Sequence, residues 1–119
     1  MKQTLRVMVL TPGEEPEVRE IYQSDMPDIV GGDIQVVEAL PEIYLIENDC
    51  AMLLQLPVNR IHRDHVIVGT AILVGLTYRG EYRSLTDKEV EICMLEFYDC
   101  AREVEWDDIP FAEEITYYN

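Results

Sequence analysis

The chain has few basic residues, few cysteines and no long hydrophobic run. Its 119 residues contain nine Lys and Arg against 24 Asp and Glu, which gives a formal net charge of −15. A surplus of negative charge repels phosphate groups, so the composition argues against direct binding to nucleic acid or to an anionic membrane. It favours basic protein surfaces or cations as partners.

No hydrophobic segment is long enough to cross a membrane. The longest apolar run, residues 66–76, has 11 residues, whereas a spanning helix needs about 20. The chain begins without a charged segment followed by an apolar stretch and a cleavage-like site, so we expect no signal peptide. These absences predict a soluble, cytoplasmic protein that does not bind a membrane.

Motifs for catalysis and for cofactors are missing as well. The sequence has no Gly-x-Ser-x-Gly motif and no phosphate-binding Gly-x-x-x-x-Gly-Lys loop. Cys50, Cys93 and Cys100 are an odd number without a Cys-x-x-Cys pair, which favours reduced, mostly packed thiols. We therefore expect no catalytic residue, no cofactor and no enzymatic activity.

Both histidines lie in the segment His62-Arg63-Asp64-His65. A structural zinc site needs four ligands, and no cysteine or glutamate lies nearby in the sequence to complete one. We expect an ordinary polar turn here and no bound metal.

What is present is enough apolar material for one core. Hydrophobic residues make up 48% of the chain, and a domain of this length buries roughly two-thirds of its unfolded surface. The sequence shows no internal repeat, low-complexity segment or linker. We predict a single compact acidic domain over residues 1–119, with the residues after about 105 as an extension.

Short apolar and β-branched segments between turn residues predict strands in the first two-thirds of the chain. A short helix is predicted to begin at Ser24 or Asp25, to contain Pro27 and to end before Gly31. The predicted strands are residues 5–10, 17–22, 34–39, 43–46, 51–56 and 66–76, with residues 57–64 as a loop. Two glycines in the last segment, Gly69 and Gly75, indicate a bulge or close packing by another element.

The last third is helical in pattern. The segment Thr86-Asp87-Lys88-Glu89 is a capping box, and apolar residues from Val90 onward recur at spacings of three and four over about five turns. The predicted fold class is therefore α+β, a mostly antiparallel sheet of five or six strands with one long amphipathic C-terminal helix packed on one face. Leu73, Val74 and Phe97 are expected to be buried together.

A row of carboxylates follows one side of the predicted helix. At 100° per residue its members fall within an arc of about 80° and span roughly 27 Å. Residues 80–119 hold 12 acidic against three basic residues, and 12 minus 3 leaves −9 at this end of the chain. The row consists of Glu89, Glu96, Asp99, Glu103 and Asp107.

Two interpretations of this row are open. It is either the solvated face of an acidic protein, or an imitation of nucleic acid phosphates, although DNA spaces its charges more closely, at about 3.4 Å per strand. Ile92 and Leu95 point away from the predicted core stripe. They would be covered by the C-terminal segment or by a second copy of the chain, so a homodimer is a further hypothesis.

Several motifs in a fixed order make the chain similar to a known family. They are residues 11–18, 29–37, 56–60, 69–70 with 74–75, and 84–87. The sequence resembles the domain-of-unknown-function family numbered 3846 from about residue 5 to residue 97. That family occurs in bacteria, phages and mobile elements, often among antirestriction genes, so the resemblance implies a genetic context and no established chemistry.

Two hypotheses for function follow. The first is a non-enzymatic inhibitor, encoded by a phage or mobile element, whose five-carboxylate row occupies the basic surface of a host nucleic-acid-binding defence protein of the restriction or CRISPR type. The alternative is a small-molecule or nucleotide-binding module without catalysis. Its ligand would lie in the predicted loop against Asn59, Arg60, His62 and Arg63, where the two arginines could receive a phosphate.

Overall fold

The computed structural model describes residues 3–98. Their strands are β1 (Leu5–Leu10), β2 (Glu17–Ile21), β3 (Ile34–Leu40), β4 (Ile43–Asn48), β5 (Val58–His62), β6 (His65–Val68), β7 (Ala71–Leu76) and β8 (Tyr82–Arg83). The helices are α1 (Met26–Val30), entered through a 3-10 turn at Gln23–Asp25, and α2 (Asp87–Phe97).

Six strands form one antiparallel sheet. Five of them run in the order β2-β1-β7-β4-β3, and β8 pairs with β7. Strands β5 and β6 form a separate two-stranded hairpin. The α+β class and the mostly antiparallel sheet of six strands are therefore confirmed.

Alternate residues of the central strands point to opposite sides of the sheet, and both sides carry apolar side chains. Other elements cover each of these two faces. On one side α2 and the hairpin pack against a core that contains Met8, Leu45, Leu73, Phe97 and the hairpin residue Ile67. On the other side α1 packs against a second core, whose members include Val7, Met26, Val30, Ile46, Ile72 and Val74. Leu73 and Phe97 are thus buried together as predicted, whereas Val74, one residue along the strand, lies in the opposite core.

One strand prediction and one loop prediction in the middle of the chain are wrong. Residues 51–55 form turns, with Leu53 and Leu54 more than half exposed. Residues 58–62 of the predicted loop are strand β5. Because β5 pairs with β6, its backbone groups find partners in a hairpin that short-range patterns did not indicate. A small third core of Ala51, Val58, Val66 and Val68 lies beneath these turns.

The two glycines of the 66–76 segment act in different ways. Gly69 has φ +76° and separates β6 from β7, so the predicted single strand is two strands. Gly75 lies opposite Arg83 in the β7–β8 register, and a Cβ built there would be 2.4 Å from the Arg83 Nη1 atom. The missing side chain at residue 75 lets Arg83 lie flat across the sheet.

Helix α2 begins as predicted and ends sooner. Thr86 is the N-cap, and the side chains and amides of Thr86 and Glu89 exchange both capping-box hydrogen bonds. The helix has 11 residues and ends at Phe97, about three turns instead of five. The Phe97 carbonyl accepts a hydrogen bond from the buried guanidinium of Arg60.

Neither helix among residues 3–98 is long and apolar enough to cross a membrane.

The two sides of α2 provide a test of this packing. Phe97 is 2% exposed and Leu95 is 82% exposed. Phe97→Ala should lower the free energy of unfolding by about 3–5 kcal/mol because it leaves a cavity in the core. Leu95→Ala, the matched control on the same helix, should change it by less than about 0.5 kcal/mol. Urea unfolding measures both, and equal losses would contradict the orientation of α2.

Candidate functional site: clefts beside the β5–β6 hairpin

Asn59 and Arg60 connect the hairpin to the rest of the molecule. The Asn59 amide donates to the carbonyls of Leu10 and Gly69, at 2.7 and 2.8 Å. Its side-chain oxygen accepts from Arg60 Nε at 2.7 Å. Asn59 is 1% exposed and Arg60 is 2% exposed.

The Arg60 guanidinium donates to backbone carbonyls from two other parts of the chain. It reaches the β1–β2 turn at Thr11 and Glu14, with distances of 3.3 and 2.8 Å, and the end of α2 at Phe97. Arginine suits this role because its planar fork carries five donors. Asn59 and Arg60, two of the predicted ligand-binding residues, are therefore buried groups that make structural contacts within the fold.

His62 and Arg63, the other two predicted ligand-binding residues, lie at the hairpin turn beside α2. Arg63 donates to Glu96 at 2.8 Å, and this hydrogen bond, with a smaller contribution from His62, lowers the pKa of Glu96. The His62 ring stacks on Phe97 with centroids 4.1 Å apart. Its Nε2 atom is buried without a hydrogen bond, 3.5 Å from a Glu96 oxygen.

A second polar contact attaches β6 to the sheet. Glu47 is 4% exposed, and its carboxylate binds the His65 ring through one oxygen and Gln35 Nε2, at 3.0 Å, through the other. The hydrogen bond that Glu47 accepts from the ring raises the pKa of His65 above its ordinary value. Sequence reasoning missed Glu47, although strand periodicity places residue 47 on the same face as Ile43 and Leu45.

Two clefts lie between β3 and the hairpin, on either side of His65. The first, about 350 Å³, is lined by His62, Arg63, Asp64 and His65 and by apolar side chains that include Val37, Ala39, Leu45, Ile67 and Phe97. The second, about 300 Å³, is lined by residues that include Gln35, Glu47, Asp49, Met52, Leu53 and His65. Arg60 lines neither cleft.

A larger cleft on the opposite side of the sheet has less varied chemistry. It measures about 540 Å³ and lies beside α1, where its lining includes Tyr22, Met26, Ile34 and Tyr82. Its lining also includes the polar side chains of Gln3, Gln23 and Ser24, and no charged side chain. Binding sites usually combine an apolar surface with a few convergent polar groups. We take the hairpin clefts as the candidates because they add charged groups, and a histidine with a raised pKa, to such a surface.

The acidic row on α2 is partly occupied by arginines. Glu89 binds Arg83 through both carboxylate oxygens, at 2.7 and 2.9 Å, while one of them also accepts from the Thr86 amide. This contact lowers the pKa of Glu89, whose side chain is 14% exposed. Glu96 is likewise bound by Arg63. Asp99, Glu103 and Asp107 lie outside the described residues.

The outward face of α2 is mixed in character. Ile92 and Leu95 are exposed there, as the sequence predicted, together with Lys88 and Glu91. Exposed carboxylates are also found on β2, α1 and β3 and in the connections between elements, at Glu20, Asp28, Asp33, Glu38, Glu42, Asp49, Asp64 and Glu81. Within residues 3–98 the exposed carboxylates are therefore spread over the surface.

No group of three or more His, Cys, Asp or Glu side chains within residues 3–98 is arranged to hold a metal ion. Burial raises the pKa of the Cys93 thiol to about 12. Cys93 is therefore an inert core residue at neutral pH.

A family model described as Domain of unknown function (DUF3846) matches residues 4–98. The chain therefore belongs to this family, as the resemblance indicated. No curated protein and no solved structure shows significant similarity to the chain.

The buried guanidinium of Arg60 can be tested against an exposed one. Arg60→Met should lower the free energy of unfolding by about 2–5 kcal/mol, because several buried carbonyls lose their donor. Arg79→Met is the matched control, since Arg79 is exposed and contacts only Tyr78, and it should cost less than about 0.5 kcal/mol. Chemical denaturation of both variants decides the point. If they unfold alike, Arg60 does not connect the hairpin.

The His65–Glu47 contact predicts a dependence of stability on pH. Because the folded pKa of His65 is raised, its contribution is complete below about pH 6.5 and is lost as the pH rises through the folded value. The difference in unfolding free energy between the wild type and His65→Gln should therefore shrink from pH 6 towards pH 9. A difference that stays constant or grows would contradict the contact, and NMR titration of the His65 ring gives its pKa directly.

Proposed function

We propose that this protein is a non-enzymatic inhibitor, encoded by a phage or mobile element, that acts in the host cytoplasm. In this proposal it occupies the basic surface with which a defence protein of the restriction or CRISPR type holds nucleic acid. Its carboxylates accept hydrogen bonds from the Lys and Arg side chains that otherwise contact phosphates.

The observation that carries the proposal is the imbalance between exposed acids and occupied bases. Residues 3–98 contain 17 Asp and Glu against seven Lys and Arg, and 17 minus 7 leaves −10 within the family domain. Four arginines each contact a carboxylate at 2.6–2.8 Å, namely Arg6, Arg19, Arg63 and Arg83. Arg60 is buried on carbonyls.

This arrangement gives the molecule an outward negative field. The occupied guanidiniums are held beside carboxylates, whereas many other carboxylates remain at the surface on several elements. Such a field speeds association with a basic surface and makes the rate fall steeply with added salt. It also repels nucleic acid, so the protein competes with nucleic acid for the partner instead of binding it.

The test measures phage plating on bacteria that carry a restriction or CRISPR system, with and without the protein. The wild type should raise plating of phage that the system normally excludes. A variant with Glu91→Gln, Asp99→Asn, Glu103→Gln and Asp107→Asn should lose this effect. Glu89 and Glu96 stay unchanged because they bind Arg83 and Arg63.

A matched variant separates location from total charge. Glu20→Gln, Asp28→Asn, Asp33→Asn and Glu81→Gln remove the same number of acidic groups elsewhere in the sequence, all at exposed positions, and should leave protection largely intact. Full protection by the first variant would rule out those four carboxylates as the contact surface. Absence of protection by the wild type against every system tried would contradict the proposed function itself.

A small-molecule-binding module is the second candidate, favoured by the cleft of about 350 Å³ at His62 and Arg63. A nucleotide fits this cleft poorly, because Arg63 already binds Glu96 and the carboxylate of Asp64 lines the same wall. Stabilisation of the purified protein by neutral or cationic metabolites, and by no basic protein, would favour this candidate.

A further inference from the structure

We propose that an extended basic segment of the partner adds to the edge of β3 and places two alternate Lys or Arg side chains in the two clefts beside His65. The inference rests on the proposed function, because it takes the partner to be basic. The inference specifies where the partner binds, at β3, and which sequence pattern its segment carries, with basic residues at positions i and i+2.

The two edges of the sheet differ in how they are protected. Among residues 3–98, β2 and β3 each have a single strand neighbour. β2 carries Glu17, Arg19 and Glu20 along five residues, and charges of this kind block the addition of another strand. β3 has seven residues with Glu38 as its one charge, and its pairing with β4 is regular from Ile34 to Glu38 before the register shifts between Glu38 and Leu40. We therefore place the added strand on residues 34–38 of β3, the less charged of the two edges.

The clefts continue the side-chain pattern of β3. Gln35 lines the second cleft and Val37 lines the first, and these two alternate residues pair in regular register with Glu47 and Leu45. Glu38 and Ala39, where the register shifts, also line the first cleft. A strand paired with β3 would direct alternate side chains to this same face, about 7 Å apart. Peptide recognition at sheet edges commonly works in this way, with backbone hydrogen bonds for affinity and pockets for alternate side chains.

The chemistry of each cleft suits a long basic side chain. Apolar surface from Val37 and Ile67 in the first cleft, and from Met52 in the second, can cover an aliphatic stem. Each cleft also has an exposed aspartate, Asp64 in the first and Asp49 in the second.

These aspartates are available to a partner. Neither aspartate lies within salt-bridge distance of a basic side chain in the described part of the chain. The Arg63 guanidinium donates to Glu96 and the His65 ring contacts Glu47, so each of these basic groups already faces a carboxylate. A cation therefore finds an exposed carboxylate in each cleft.

The test uses the full-length protein and the peptide Ac-Thr-Val-Lys-Val-Lys-Val-Thr-NH2, with NMR shifts and calorimetry as readouts. The peptide should shift the amide signals of residues 34–40 and slow their hydrogen exchange. Replacing both lysines by norleucine should weaken binding about tenfold. N-methylation of alternate peptide amides should abolish binding while it leaves the side chains unchanged.

Variants of the protein test the clefts. Asp49→Asn with Asp64→Asn should weaken binding of the lysine peptide about tenfold and leave the norleucine peptide unaffected. Glu20→Gln with Asp28→Asn, an equal change of charge on β2 and α1, should have little effect. Equal binding by the N-methylated peptide, or equal effects of the two pairs of substitutions, would overturn the proposal.

Other occupants of the β3 edge give distinct results. If the outward amides of β3 exchange slowly in the protein alone, the edge is already covered. If these amides exchange slowly only at high protein concentration, the β3 edge pairs with a second copy of the chain. Either result overturns the inference, and neither affects the outcome of the phage-plating test. Conversely, peptide binding at β3 without phage protection would leave the docking site standing and contradict the proposed function.

Discussion

The arrangement of the hairpin depends on one buried cation. The guanidinium of Arg60 joins the hairpin to the β1–β2 turn and to the end of α2, and Asn59 beside it binds the end of β1. A desolvated arginine is tolerated only when its donors are satisfied, and here backbone carbonyls satisfy them. These contacts set the distance between the hairpin and the sheet, and that distance forms the two clefts beside β3.

The other ionic contacts reinforce the same placement. Glu96 holds Arg63 at the hairpin turn and Glu47 holds His65 one strand further on, so both ends of the turn are attached to different elements. Arg83 and Glu89 join β8 to the start of α2 across the space left by Gly75. Arginine in this protein therefore organises the fold, and little of it is left to balance the surface carboxylates.

This division of charge links the fold to both proposals. Most of the described arginines contact carboxylates or carbonyls of the same chain. The remaining surface carboxylates therefore determine the sign of the electric field around the protein. The β3 edge would add specificity to this electrostatic attraction. Strand pairing fixes the register of the bound segment, and the clefts select its side chains at alternate positions. The negative field would bring a basic partner near, and the edge would determine which segment binds.

The sequence by itself determined the elements whose cause is local. The capping box at Thr86 and Glu89, the short helix before Gly31, the strands at either end of the sheet and the α+β class follow from caps, turns and periodicity within a few residues. Tertiary structure decided the rest. The Phe97 carbonyl at the end of α2 accepts a hydrogen bond from Arg60, 37 residues earlier, and Glu89, a predicted partner-binding residue, binds Arg83. Residues 58–62 became a strand because β6 supplies their hydrogen bonds, and the clefts exist because that hairpin packs against β3. These features depend on contacts between residues that are far apart in the sequence. The pattern of residues within one short segment does not specify such contacts.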